Sequence, residues 1–389
     1  MIIERLKKFV YGRRRTLLGV GPMSKNCVDA VIELANDHQI PLILIASRRQ
    51  IEARDFGGGY VNGWSTESFS EYVKKRDSRG TVILARDHGG PWQNDFEKDQ
   101  KLSLSKAMKS AKKSFQVDIE SGFQLIHIDP SVDIHGDLTV DETLARIFEL
   151  YEFCWSVASR KKKRIFFEIG TEDQNETNHN QFDVEYVISQ TNKFCRKNHL
   201  PVPDFVVIQT GTKVKETMNV GTLDSPIRIK NELPAEIHIP KIVDLCDKYN
   251  IFLKQHNTDY LSDETLSWHP KLGIHSANVA PEFGVAETRA FLDIMKKFKL
   301  SKLGNEFVEL AYKSKKWQKW MLSDTKTDKT AKAVIAGHYV FSDPEFDKIR
   351  NKAKNALQKH NLDLDEYLKE KVKESMMRYL RNFRLVDRQ

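Results

Sequence analysis

The chain has 389 residues, with 62 Lys+Arg against 54 Asp+Glu, a net charge of +8 and 40 % hydrophobic residues. That apolar content supports a sizeable core and excludes a mostly disordered chain. Four well-separated cysteines (Cys27, Cys154, Cys195, Cys246) form no CxxC pair. A disulfide framework or cysteine zinc site is therefore not expected, and a reducing cytoplasm is the expected compartment. No apolar run suits a signal peptide or a membrane span, so no membrane partner is expected. The basic residues are spread along the chain without a zinc-finger spacing or an RNP-type strand. They read as solvated surface rather than a nucleic-acid footprint, and they suit an anionic small substrate such as a sugar phosphate.

Short apolar runs rich in β-branched residues recur along the chain, at 16–21, 41–47, 81–87, 125–131, 164–170, 205–211, 251–257 and 272–279. Each reads as a strand buried on both faces of a parallel sheet. Helical spacing lies between them, for example at 26–38, 140–159 and 239–249. Eight strands alternating with helices predict an α/β fold, a (β/α)8 TIM barrel. The other reading is a doubly wound open sheet. It needs a glycine-rich turn after the first strand, and Gly19 to Ser24 only half resembles one. After residue 300 the strand runs stop, and Asp343-Pro344-Glu345 opens a further helix. The predicted organisation is a barrel over 1–300 and a C-terminal helical extension over 301–389. The polar stretch 323–330 reads as a mobile loop.

In a barrel, chemistry sits at the C-terminal strand ends. Here those ends are polar in six successive strands. They carry Asp87 and His88; His127 and Asp129; Glu168, Gly170 and Glu172; Gln209 and Lys213; His256, Asn257 and Asp259; and His275 and Asn278. Histidine plus carboxylate from separate strands is how a divalent transition metal is held with positions left open. His88, Glu172 and His256 are the candidate ligands. Zinc is the expected ion, with manganese, cobalt or nickel as alternatives. His127 and His275 lie nearer strand middles and are expected behind the site or in the core. Asp87 and Asp259 are the candidate catalytic groups. Gly58, Gly59, Asp129, Lys213 and Asn278 are the candidate substrate contacts.

Certain segments also carry a resemblance. They are 41–47 followed by Gly58-Gly59-Tyr60; Asp87-His88-x-Gly90-Pro91 with Trp92-Gln93-Asn94; Ile126-His127-Ile128-Asp129-x-Ser131; Ile169-Gly170-Thr171-Glu172; and His256-x-Thr258-Asp259-Tyr260. Over residues 15–300 the chain resembles the accessory-subunit family of class II tagatose-1,6-bisphosphate aldolase, and more distantly the class II aldolases. The resemblance implies Asp87 as acid/base and His88 and His256 as metal ligands. Where catalytic class II aldolases carry a sixth-strand ligand histidine, Gly211-Thr212-Lys213 stands. Glu168 does not match the family motif. The resemblance implies either retro-aldol chemistry on a phosphorylated ketose, as aldolase or 4-epimerase, or a non-catalytic subunit that stabilises a separate aldolase. A sugar or sugar phosphate, a catalytic aldolase subunit and a second copy of the chain are the expected partners.

Overall fold

In the computed structural model, which describes residues 2–170, 181–223 and 234–387, eight parallel strands close into a barrel. They are β1 (Leu17–Val20), β2 (Leu42–Ser47), β3 (Val82–Gly89), β4 (Leu125–Ile128), β5 (Phe166–Gly170), β6 (Phe205–Val207), β7 (Phe252–Gln255) and β8 (Ser276–Val279). Each strand pairs with its sequence neighbour, and β8 returns to β1 with Leu17 opposite Ser276 and Val20 opposite Val279. That closure is the predicted TIM barrel and excludes the open doubly wound sheet. Seven of the eight strands fall within the predicted runs, and β3 extends two residues beyond its own. The helices Lys25–His38, Val140–Arg160 and Ala235–Tyr249 lie where helical spacing placed them.

Local chemistry starts the helices. Ser24 caps Lys25–His38 by accepting from the Cys27 amide, and Thr139 and Glu142 form a reciprocal capping box. Asp343 accepts from the Glu345 amide at the start of Pro344–Gln358.

Successive strand residues point to opposite faces, so alternate residues line the barrel interior. Leu17, Ile43, Ile45, Ile83, Ala85, Leu125, Phe166, Phe205 and Phe252 form a buried apolar cluster there. Leu6 and Val10 of the helix Ile2–Arg13 join it and plug the N-terminal end. Fully burying one such side chain is worth roughly 1.5–3 kcal/mol, which makes this layer a foundation for less favourable groups above it. His275 belongs to this end. Its ring stacks on Phe252 at 4.8 Å, its Nδ1 accepts from the Leu253 amide, and burial followed by repulsion from Lys7 lowers its pKa to about 4.

Helices after residue 300 contribute to two cores. Phe307, Ala311, Phe346, Ile349, Leu357, Leu364 and Leu368 gather around Phe291 and Ile294. Val372, Met376, Tyr379 and Leu380 of the helix Leu364–Asn382 join the main barrel core. No helix among the described residues is long and apolar enough to cross a membrane.

Glu287, on the helix Pro281–Lys297, is buried and accepts from Ser24 Oγ and Asn26 Nδ2. Burial outweighs those hydrogen bonds and raises its pKa to about 7. The native state then binds this proton more tightly than the unfolded chain, so the stability it confers is complete below about pH 4.5 and is lost as pH rises through about 7. At ~1.4 kcal/mol per pKa unit the loss is roughly 3 kcal/mol. Glu287→Gln is therefore expected to be nearly neutral at pH 5 and stabilising at pH 8. Paired denaturant melts at the two pH values check this, and a difference independent of pH would contradict it.

Candidate active site

The interior positions above the apolar layer are polar. Counting by two from Ile83 and Ala85 reaches Asp87; from Leu125, His127; from Phe166, Glu168; and from Phe252, Lys254 and then His256. All five of these polar side chains are buried. Register sets them side by side, with His127 opposite Glu168 on the adjoining strand. Asp87, His127, Glu168 and His256 each offer one ligand atom, and those four atoms lie within 4.8 Å of one another. His127 Nδ1 is 3.6 Å from Asp87 Oδ1 and 3.4 Å from Glu168 Oε1. His256 Nε2 is 3.7 Å and 3.9 Å from the same two oxygens.

His88 stands at the rim and keeps 22 % of its side chain exposed. Strand alternation alone would turn it away from the barrel. The β3–β4 register shifts between Arg86 and Gly89, and His88 has φ 45°, an uncommon backbone state for a non-glycine residue. The irregularity brings its ring to 4.9 Å from that of His256 and 5.3 Å from that of His127. Its Nδ1 meets Asp129 Oδ2 at 2.6 Å, and Gln93 Nε2 donates to the same oxygen at 3.1 Å.

The charges are strongly coupled. Burial opposes ionisation of Asp87, but His88, His127 and His256 outweigh it and hold the carboxyl well below the usual carboxylate range. Burial likewise opposes the charge on Glu168, and the Lys254 ammonium, bonded to Glu168 Oε2, together with His127 and His256 outweighs it and brings the pKa to about 2. Burial lowers His88, and Asp87 and Asp129 more than reverse that, raising it to about 9.

These residues fit a divalent metal on two grounds. Two carboxylates and two imidazoles are a donor set that zinc, manganese, cobalt and nickel accept. Asp87 Oδ1 and Glu168 Oε1 are buried, and neither receives a well-formed hydrogen bond. A buried anionic oxygen in that state is costly unless a cation meets it. Gly170 adds a steric condition: a Cβ there would come within 2.4 Å of His127 Nε2, so the glycine makes room for the ring.

The cluster differs from the set expected from the sequence. His256 is in it. Asp87, expected as acid/base, is also in it. His88, expected as a ligand, is not one of the four; Asp129 engages its Nδ1, and its Nε2 lies 3.8 Å from Asp87 Oδ2. Glu172 lies outside the described residues. His127, expected behind the site, has its Nδ1 in it, where that atom also accepts from the His88 amide at 3.2 Å, and Glu168 and Lys254 were not singled out for this role. Asp129, expected on the substrate, meets His88 Nδ1. Asp259, expected as catalytic, accepts from the backbone amides of Ala280 and Glu282 and so caps the helix Pro281–Lys297. Burial, then Glu282, raises its pKa to about 7. Gly59 packs against its own loop, where a Cβ would overlap the Gln50 carbonyl, and Gly58 has φ +76°. Asn278 projects its buried amide against Gly19, and neither amide atom has a hydrogen-bond partner. Lys213 is half-buried in the loop after β6, its amide donating to Asn219. The alternation that reveals Asp87, His127, Glu168 and Lys254 is present in the sequence, as apolar residues two or four positions before each.

The whole architecture recurs in solved structures. A probable tagatose 6-phosphate kinase from Sinorhizobium meliloti 1021 superposes with a TM-score of 0.71 at 16 % identity, over 95 % of this chain and 100 % of that one. The glycerol-complexed fructuronate-tagaturonate epimerase UxaE from Cohnella laeviribosi gives 0.61 at 10 % identity, over 95 % and 81 %. A fructose-bisphosphate aldolase from Campylobacter jejuni gives 0.56 at 12 % identity, over 99 % and 94 %. At these identities the likeness establishes the shared fold. No curated protein matches the chain. A family model does match, over residues 3–176, and its reach through β1 to β5 takes in the Asp87-His88 and His127-x-Asp129 motifs. Over those residues, somewhat under half of the chain, it is similar to the D-tagatose-1,6-bisphosphate aldolase subunit GatZ/KbaZ-like family.

Proposed function

We propose that the protein is a metal-dependent enzyme that acts on a phosphorylated ketose by retro-aldol chemistry, as an aldolase or a 4-epimerase. The observation that carries this reading is the convergence of Asp87, His127, Glu168 and His256, two of whose carboxylate oxygens are buried without well-formed hydrogen bonds. In this reading those four groups hold the ion. A divalent metal bound there would supply the electrophile that polarises a ketose carbonyl.

The remaining groups account for binding and proton transfer. Lys254 keeps Glu168 ionised and fixes its orientation through Oε2, leaving Oε1 turned to the cluster. His88, held by Asp129, is the acid/base at the accessible rim. With Asp87 engaged by the ion, the attraction that raises the His88 pKa would be offset, and in the cleavage direction the neutral imidazole would take the proton of the C4 hydroxyl as the C3–C4 bond breaks and the electron pair of that bond passes towards the C2 carbonyl. In the reverse direction His88 returns the proton to the C4 oxygen. Departure of the aldehyde gives an aldolase, and re-addition to its other face gives a 4-epimerase. A second reading follows from the family's description as an aldolase subunit. There the chain is a non-catalytic partner that stabilises a separate catalytic aldolase.

Metal content separates the residue roles. Asp87→Asn, Glu168→Gln and His256→Ala are each expected to lose bound divalent metal, and Gly170→Ala to weaken its retention by crowding His127. His88→Gln is expected to retain metal. Elemental analysis of the purified variants checks this. Metal loss in His88→Gln with retention in Asp87→Asn would restore the roles that the resemblance implies.

Turnover separates the two functional readings. The purified protein with Zn²⁺, Mn²⁺, Co²⁺ or Ni²⁺ is expected to cleave or epimerise a ketose phosphate, and chelator to stop it. His88→Gln should lower kcat by about 10²–10⁴, the usual contribution of a general acid/base, with metal still bound. An inert protein that raises the activity or lifetime of an added class II aldolase would establish the subunit reading.

A further inference from the structure

The segment after the helix Ser301–Lys313 bridges the loops after β2 and β6 at the C-terminal end of the barrel. On one side it docks on the two-strand hairpin that follows β6. The Glu216 amide donates to the Trp320 carbonyl at 2.8 Å, Lys215 Nζ donates to the Lys319 carbonyl, and the Glu216 carboxylate accepts from Thr327 Oγ1. Those bonds also anchor the stretch 323–330, which the sequence suggested to be a mobile loop. On the other side Tyr339 lies against Tyr60, with ring centroids 5.0 Å apart, and Ser342 Oγ accepts from the Asn62 amide. Tyr60 and Asn62 belong to the loop after β2.

Between this strap and the β2 loop lies a cavity of about 490 Å³, lined by Arg49, Tyr60, Lys315, Lys316, Lys319 and Tyr339 among others. Its wall is mostly basic, with Asp95 as the carboxylate that lines it. Arg48, also in the wall, is neutralised by Glu52 and Glu97, and Arg49 meets Asp95 at 2.6 Å. No carboxylate among the described residues pairs with Lys315, Lys316 or Lys319. Burial, followed by repulsion from Arg49, lowers the Lys319 pKa to about 8. Like charges repel, and three lysines that converge on one concavity with an arginine and two phenols favour a multiply charged anion.

The cavity connects to the site through one loop. Asn94 forms part of its wall, and the adjoining Gln93 donates to Asp129, the partner of His88. We propose that this cavity seats the phosphate of a sugar-phosphate substrate, with Arg49, Lys315, Lys316 and Lys319 as its cationic wall, so that the C-terminal extension completes the substrate site. The identity of the ligand rests on the ketose-phosphate reading above, whereas the anion site stands on its own geometry. A phosphate dianion suits three unneutralised ammonium groups better than a single carboxylate does.

The test uses full-length, chelator-treated protein, so that it is independent of metal and of turnover. Inorganic phosphate, a ketohexose phosphate and the corresponding uronate are titrated calorimetrically into the wild type. The same titrations are made with the triple variant Lys315→Gln/Lys316→Gln/Lys319→Gln, with the single variant Lys316→Glu, and with a remote control, Lys161→Gln/Lys162→Gln. Both phosphates are expected to bind the wild type, more weakly as salt rises. Binding should fall about tenfold or more in the triple variant, fall in Lys316→Glu, and stay unchanged in the control. Should the triple variant not fold, Lys316→Glu decides alone. The proposal is overturned if phosphate does not bind, if the lysine variants bind it as the wild type does, or if the uronate binds as tightly as the sugar phosphate. Loss of metal or of turnover in other experiments would count against the enzymatic reading and leave these titrations intact.

Discussion

Alternate residues of every strand in a closed parallel barrel face one shared interior, and that interior has no solvent except at its ends. A polar residue at an inward position is therefore forced among its neighbours from the other strands. Here the lower inward positions are Leu, Ile and Phe, and the upper ones are Asp87, His127, Glu168, Lys254 and His256. The apolar layer and the N-terminal helix beneath it stabilise the barrel without help from the upper layer. The upper layer is then able to hold buried charge, which by itself opposes folding.

Electrostatics in the upper layer is a balance among few groups. Asp87, Glu168 and Asp129 are held as carboxylates, against the cations His88 and Lys254. Two carboxylate oxygens and the imidazoles of His127 and His256 are left turned to the same point. That set of donors is what would give the cluster its affinity for a cation in the proposed function. Lys254 has a dual consequence: it offsets part of the charge of Glu168, and it occupies only one of its two oxygens. The same division of labour appears at Asp129, where one oxygen serves His88 and Gln93 and the other serves Ser131.

The outer frame is tied down by buried polar contacts that run between distant parts of the chain. Arg86 leaves the barrel on the outward face of β3, grips Asp118 with two nitrogens and donates to the carbonyls of Ala46 and Ile51. Glu282 accepts from the Tyr260 amide and from the Tyr379 hydroxyl, joining the loop after β7 to the last helix. The final helix thus belongs energetically to the barrel, although its sequence texture differs from that of the first 300 residues.

Much of the fold was legible in the chain. The eight apolar runs, their spacing and the intervening helices specify a barrel because each is a local property of hydrophobic periodicity. The site was legible in part. Asp87 and His256 could be named from their positions at strand ends, and the family motifs point to the same strands. His127 reads as lying behind the site because it falls mid-run in sequence, whereas the His127–Glu168 register sets it beside a carboxylate of the cluster. The role of His88 depends on a register shift and a positive φ at one residue, which no hydrophobic pattern encodes. Lys315, Lys316 and Lys319 read as ordinary surface charge until the strap is seen to bridge the loops after β2 and β6. Sequence by itself determined which residues are inward, apolar or charged, since those follow from neighbours along the chain. Only the tertiary structure decided which charges meet, because that depends on barrel closure and register, which are set by pairings between residues far apart in sequence.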